Sequence, residues 1–351
     1  MMKKSLKTAA ASFALAGAGL TGAGIYFATD YLRKRKHRQL LGKVVLITGG
    51  SRGLGLALAE EFARYGTRLA MTARDLEELE RARRLVLKRH RNLHPDDVFV
   101  VAADLRNSPE AESLVRQVTE RFGRVDILVN NAGIITAGPV ENQAVEEFHN
   151  AMDANFFSAL HCTLAVLPQM LARKSGAIVN VTSIGGKIAV PHLLPYTASK
   201  FAAVGFSEGL YAELRSKGVR VTTVCPGLMR TGSHLNALFT GDAEREYRWF
   251  SLSAGLPGVS TSAAKAAAKI VRAVIAGRSE IAITPQAILA ARLSNLCPEA
   301  TLRVMSAMNT ALPKSVPGQS RHYKGTEVRA KEIRPALTLA SAAAKRYNQV
   351  P

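Results

Sequence analysis

The chain has 351 residues, far beyond a mini-protein held by staples and enough for one large domain with appendages. Its 47% apolar and 21% charged residues exclude wholesale disorder. Three scattered cysteines (Cys162, Cys225, Cys297), with no CxxC pair, exclude a disulfide scaffold and a zinc ribbon and fit a reducing compartment.

The formal charge of +20 gathers at the ends: residues 1–42 carry a net +7 and residues 318–351 a net +5, leaving +8 for the long middle. Such ends suit an anionic membrane surface at least as well as a nucleic acid, and with aromatics at 6% no nucleic-acid module is visible. In chain order the first feature is TAAASFALAGAGLTGAGIYFAT, Thr8 to Thr29, 22 residues without a charge. As a helix rising about 1.5 Å per residue it would cross roughly 30 Å of hydrocarbon. Lys3, Lys4 and Lys7 precede it, and Arg33, Lys34, Arg35, Lys36 and Arg38 follow it. The heavier basic flank on the carboxyl side predicts a single-pass anchor, with the following domain facing the cytoplasm. Its Ala- and Gly-rich composition leaves a cleaved signal peptide or a loosely bound basic arm as alternatives. Residues 1–41 are thus set apart as an anchor with a basic juxtamembrane segment.

After Lys43, short β-branched runs alternate with segments of helical period. Strands are predicted at 43–48, 68–72, 98–102, 126–130, 177–182, 219–225 and 280–284, with helices between them, such as 54–65, 75–90 and 109–122. Continuous apolar strands separated by helices imply a parallel sheet covered on both faces. Residues 42–286 therefore read as one α/β domain, a Rossmann-type doubly wound sheet of about seven strands. Residues 287–351 form a carboxyl-terminal extension. Apolar positions there (Ile288, Leu289, Leu293, Leu296, Leu302) precede a basic tail from Arg321, which suits a membrane-lying piece, a dimer arm or a poorly ordered end.

The first strand runs into Thr48-Gly49-Gly50-Ser51-Arg52-Gly53-Leu54-Gly55 and then a helix. Glycines there permit a tight turn and a close backbone approach to a pyrophosphate, while the helix amino terminus offers unpaired N–H groups and the positive end of its dipole. A NAD site usually carries an acid at the end of the second strand. Here Arg74 stands first, with Arg52 in the glycine turn, and two guanidinium groups suit the 2′-phosphate of NADP. The alternative makes both arginines ordinary surface residues and gives the ribose to Asp75.

Seven features occur in order: TGGSRGLG (48–55), Asp104-Leu105, NNAG (130–133), Asn155, Ser183, YTASK (196–200) and PGLMRT (226–231). Together they resemble the short-chain dehydrogenase/reductase family over roughly residues 42–286. Tyr196 and Lys200, four apart at a helix start, share one face. A phenol titrates near 10, too high for a base at neutral pH, so it needs such a cation nearby. The resemblance implies that Tyr196 exchanges the substrate proton and that Lys200 also holds the nicotinamide ribose. Ser183 positions the substrate oxygen, with Thr182 the neighbouring alternative, one residue off in spacing. Asn155, in a helix over 145–172, holds a water linking Lys200 to solvent. For the cofactor, the resemblance assigns Thr48, Gly49, Ser51, Arg52, Gly53, Leu54, Gly55 and Arg74, then Asp104 with Leu105 at the adenine. Asn131, Ala132 and Gly133 line the adenosine side, and Pro226, Gly227 and Thr231 meet the carboxamide. Homodimers or tetramers through helices 145–172 and 199–216 are also implied.

The reading is an NADP(H)-dependent oxidoreductase, membrane-tethered, moving a hydride between the nicotinamide and a carbonyl or secondary alcohol. The irregular segment 232–259, with Leu235, Leu238, Phe239, Trp249 and Phe250, is expected either to close over a lipophilic substrate of steroid, retinoid or fatty-carbonyl type or to pack against the body. His192 reads as a surface residue, with substrate contact as the alternative. Cys162 and Cys225 read as small core residues, and no histidine spacing suggests a catalytic metal. The rival reading is a membrane-tethered nucleotide-sensing or scaffold protein of the same fold without turnover.

Overall fold

The computed structural model describes residues 39–255, 260–328 and 341–349. The proposed anchor at 8–29 lies outside the described residues, among which no helix is long and apolar enough to cross a membrane. The chain divides into two units, Met1–Leu41 and Gly42–Pro351, and the sheet and the site belong to the second.

Seven strands form the main sheet: β1 (Val44–Thr48), β2 (Arg68–Ala73), β3 (Val98–Ala102), β4 (Ile127–Asn130), β5 (Gly176–Val181), β6 (Val219–Cys225) and β7 (Glu280–Ala282). Their order is β7-β6-β5-β4-β1-β2-β3, and every neighbouring pair is parallel. The apolar runs explain this. β1, VVLIT, is buried at all five positions, which only a central strand covered on both faces permits. Its neighbours are β2 on one side and β4 on the other, so the strand order reverses between β1 and β4. In doubly wound sheets a crevice opens at that reversal, beyond the carboxyl ends of the strands.

The helices between the strands cover the two faces. α1 (Gly53–Ala63) and α2 (Leu76–Arg89) follow β1 and β2, and α3 (Ser108–Phe122) follows β3. α1 is buried at every residue, as its sequence GLGLALAEEFA allows. One core joins Val44 and Leu46 of β1 to Leu114 and Val118 of α3, Ile178 of β5 and Val221 of β6. Each such side chain contributes about 1.5–3 kcal/mol on burial.

The single helix expected over 145–172 is instead three pieces: α4 (Val145–Met152), a π turn (Asp153–Phe157) and α5 (Ser158–Ala172). A π turn inserts one residue into the helical ladder, and such bulges concentrate at functional sites; this one carries Asn155. α6 (Leu194–Leu214) follows β5 and carries Tyr196 and Lys200. The segment expected to be irregular contains α7 (Ala243–Gly255), and α8 (Ala263–Ile275) then packs beside α1. The extension continues as α9 (Pro285–Leu296) and α10 (Pro298–Asn309), and Tyr323–Lys324 pairs antiparallel with Leu238–Phe239.

Candidate active site

The glycine turn leaves β1 at the crevice. Gly53, with φ near +59°, takes the left-handed region that side chains avoid. A Cβ on Gly55 would stand 2.0 Å from the carbonyl oxygen of Gly49, so only glycine lets α1 start this close to β1. Thr48 ties the turn to the fourth strand: its Oγ1 accepts from the N–H groups of Asn131 and Ala132, both at 2.9 Å. Asn131 Nδ2 donates in return to the carbonyls of Thr48 at 3.0 Å and Gly49 at 3.1 Å. The glycine turn and the NNAG segment are thus one hydrogen-bonded unit across the strand-order reversal. Leu54 and Leu105 are buried, the latter within the main core.

At the end of β2 the alternative acid is committed elsewhere. Asp75 caps α2, its side chain accepting from the Glu78 N–H at 2.9 Å. Arg52 is paired with Glu78: its Nη1 donates to Glu78 Oε1 at 2.8 Å, and Ser51 Oγ donates to Glu78 Oε2 at 2.9 Å. Arg74 is exposed beside Asp104, whose carboxyl the Arg106 guanidinium holds below the usual carboxylate range. Glu78, which organises this corner, was not singled out from the sequence. Its place one turn into α2 gives no signal until Ser51 and Arg52 fold back onto it.

Asn155, Ser183 and the Tyr196–Lys200 pair come together from three separate stretches: the π turn, the end of β5 and the first turns of α6. Ser183 lies two residues beyond β5, its Oγ accepting from the Gly185 N–H at 3.0 Å and hydrogen-bonding the Tyr196 phenol. Thr182, the spacing alternative, is spent: its Oγ1 donates to the Val224 carbonyl at 2.7 Å. Lys200 is buried, with Nζ 5.7 Å from the Tyr196 ring centroid and 3.2 Å from the Val181 carbonyl. Burial lowers Lys200 to about 8, and burial pushes the Tyr196 phenol up, with the Ser183 hydrogen bond opposing it.

Asn155 is held on all sides. Its Oδ1 accepts from the Ile134 N–H at 2.9 Å, and Nδ2 donates to the Ile134 carbonyl at 3.2 Å and to Ser199 Oγ at 2.9 Å. Both amide protons are used, so a water could bind this side chain only at the remaining lone pair of Oδ1. Gly133 makes the approach possible, since a Cβ there would lie 2.4 Å from Asn155 Oδ1 and 3.5 Å from Lys200 Nζ. Pro226 closes the far side, accepting from the Ile184 N–H at 2.8 Å, and Thr231 is buried with Oγ1 bound to the Ser233 N–H.

Beyond the phenol lies a second apolar cluster: Ala137, Leu193, Ala237, Phe239, Tyr247 and Phe250, with Tyr196 and Trp249 packed on it. Phe250 therefore joins the body. His192 is not a surface residue. It is buried, and its Nδ1 lies 2.7 Å from Glu246 Oε1 of α7. Trp249 Nε1 donates to the other Glu246 oxygen at 2.5 Å. From the sequence, a lone glutamate in the segment 232–259 gives no reason to pair it with His192. Cys162 and Cys225 are buried, and burial raises both thiols, Cys162 to about 12, which makes them poor nucleophiles. Among the described residues no cluster of metal-ligating side chains occurs.

A glycine turn at a helix amino terminus, opposite a buried Lys and a Tyr–Ser pair, fits a dinucleotide with its nicotinamide beside the phenol. The sequence model of the family described as short chain dehydrogenase matches residues 43–238. The dehydrogenase/reductase SDR family protein 7-like of Anopheles gambiae is 36% identical over 273 residues, covering 78% of this chain and 84% of that protein. Among solved structures, an actinorhodin polyketide ketoreductase with NADPH superposes with a TM-score of 0.61 at 30% identity, covering 69% of this chain and 96% of that one. A short-chain dehydrogenase/reductase from Burkholderia phymatum in complex with NAD gives 0.66 at 26% identity, covering 74% and 95%. The chain thus belongs to the short-chain dehydrogenase/reductase family and is an NAD(P)-binding oxidoreductase acting on CH–OH and C=O groups.

Proposed function

We propose that this oxidoreductase is an NADP(H)-dependent carbonyl reductase of lipophilic substrates, with Tyr196 as proton donor, Ser183 and Lys200 as its partners and Asn155 as the residue that fixes the site's wall. The observation carrying the cofactor choice is the end of β2. Asp75 Oδ1 is engaged by the α2 cap and both Glu78 oxygens by Arg52 and Ser51, whereas Arg74, the first charged side chain after β2, is exposed, which supports a cation rather than an acid at the 2′ position. A cation with two parallel N–H donors matches a phosphate better than a ribose hydroxyl.

When bound, the nicotinamide supplies the hydride for reduction of a carbonyl. The remaining work belongs to the chain. Ser183 and Tyr196, already hydrogen-bonded to each other, both reach the oxygen on which charge develops. Burial keeps the phenol protonated through the neutral range, so Tyr196 is a competent acid in the reductive direction. Lys200, charged below about 8, stabilises the phenolate left behind. The partly buried apolar residues Ile135, Val190 and Trp249, which pack with Tyr196 on the outside of the Phe239–Tyr247–Phe250 cluster, support a lipophilic substrate. The residues 8–29 reading as an anchor, the cytoplasmic orientation and the homo-oligomer belong to the same proposal; the uncharged stretch and its heavier basic carboxyl flank support the first two.

Two experiments test it. Replacing Arg74 by Leu should weaken NADPH binding by about 1.5–3 kcal/mol and leave NADH nearly unchanged; equal changes in both would make Arg74 structural and reverse the cofactor choice. Alkaline carbonate extraction should leave the chain in the membrane pellet. Release to the supernatant, or a mature chain starting after about Ala23, would overturn the anchor.

A further inference from the structure

We propose that residues 341–349 are an intramolecular competitor of the dinucleotide, seated on the glycine turn and obliged to leave before the cofactor's phosphates bind. The proposal rests on the reading of that turn as the dinucleotide site.

The segment, SAAAKRYNQ, is short and half polar, a composition expected at a solvated chain end. It is buried instead: Ala344 is 1% exposed, Tyr347 3%, Asn348 7% and Gln349 9%. Its contacts fall on both walls of the cofactor crevice. On the first wall, the Gly53 N–H donates to the Tyr347 carbonyl at 2.9 Å. Asn348 Nδ2 donates to the carbonyls of Ser51 at 2.9 Å and Glu78 at 3.1 Å. Gln349 lies so close that a Cβ on Gly53 would meet its Nε2 at 2.7 Å. On the second wall, Asn236 Nδ2 donates to Gln349 Oε1 at 2.6 Å, and a Cβ on Gly232 would stand 2.7 Å from Ala344 Cα. Arg89 of α2 adds a bond from Nη2 to the Arg346 carbonyl at 3.2 Å.

The Gly53 contact decides between blocking and strapping. That N–H is the first of α1, one of the donors a helix start leaves without an intrahelical acceptor. A pyrophosphate at this turn needs those donors. One N–H aimed at the Tyr347 carbonyl cannot also serve a phosphate, so the tail does not lie over a bound cofactor; the two exclude each other. The exchange favours the cofactor at sufficient concentration, because a charged phosphate makes a stronger hydrogen bond than a neutral carbonyl. The tail therefore acts as a tax on affinity, reducing it by the fraction of chains with an open turn.

The test uses full-length chains. Ala344→Glu puts a charge into a fully buried position against Gly232, and Asn348→Ala removes the two Asn348 bonds to the first wall, leaving the Gly53–Tyr347 bond. NADPH binding is read by fluorescence titration and stopped flow, with no substrate present. Both variants should bind NADPH more tightly, by about five-fold or more, with faster association, and a synthetic 341–351 peptide should reverse the gain in Ala344→Glu. In the parent chain, NADPH should speed amide hydrogen exchange of 341–349 while protecting 49–55. Unchanged or weaker binding in a folded Asn348→Ala chain, or protection of 341–349 by NADPH, would overturn the proposal. If neither the parent nor the variants bind NADPH or NADH, the reading of the turn fails first, and the tail proposal with it.

Discussion

The Lys200 ammonium lies 5.7 Å from the centroid of the Tyr196 ring and donates to the Val181 carbonyl, so the cation is held near the phenol from the backbone of β5. One turn of α6 supplies both residues, and the carboxyl end of β5 fixes the lysine. Tyr196→Phe removes the transferable proton and keeps the ring in its apolar cluster. Turnover should fall by about two orders of magnitude or more, with NADPH affinity nearly unchanged. Near-normal kcat in that variant would remove Tyr196 from the proton-donor role.

Lys200, lowered to about 8 by burial, is protonated below that pH and neutral above it, while the raised Tyr196 phenol stays protonated through the same window. The sign for reduction follows. The donor is present on both sides of pH 8, but the cation that stabilises its phenolate is lost as pH rises. Reductive kcat/KM should decline above about pH 8, and Lys200→Met should give a low, flat profile. A parent profile flat across that range would show that Lys200 does not titrate in the working enzyme.

Ser183 and Thr182 differ by one position and by what their hydroxyls already bind. Ser183→Ala removes a donor from the reacting oxygen and should cost about 100-fold in kcat. Thr182→Val removes a bond to Val224, whose carbonyl also accepts from the Thr182 N–H at 2.8 Å. It should cost about 1 kcal/mol of stability with little change in kcat. A reversed pattern in steady-state kinetics would move the substrate oxygen to Thr182.

Glu246, fully buried, accepts from Trp249 and pairs with His192, so it pins α7 to the loop that runs from Ser183 to Tyr196. Glu246→Leu leaves the buried His192 and the half-buried Trp249 Nε1 without their acceptor and should destabilise the chain by about 3 kcal/mol. Glu246→Gln keeps an acceptor oxygen and should lose less. Equal melting temperatures for the two variants would contradict a pinning role.

The sheet was legible because its signal is local. Runs such as VVLIT and VTTVC are made of apolar and β-branched residues, and a strand covered on both faces needs nothing else. The glycine turn and the Tyr196–Lys200 pair were legible for the same reason, since each is a short stretch whose geometry its own residues impose. Asn155 could be named, but its π turn could not, because the extra residue is accommodated by bonds to Ile134 and Ser199, which are distant in sequence. Spacing to Tyr196 already favours Ser183 over Thr182; only β6 shows where the threonine hydroxyl goes, to the Val224 carbonyl. His192 reads as a surface residue from its neighbours alone, whereas its burial depends on Glu246, 54 positions later. The carboxyl-terminal segment is the extreme case: nothing in SAAAKRYNQ announces a partner, and its Asn348 meets Ser51 from 297 positions away. Periodicity and turn chemistry are properties of neighbours along the chain and can be read from it. Hydrogen-bond partners that exist only once the strands close the crevice are decided by the tertiary structure alone.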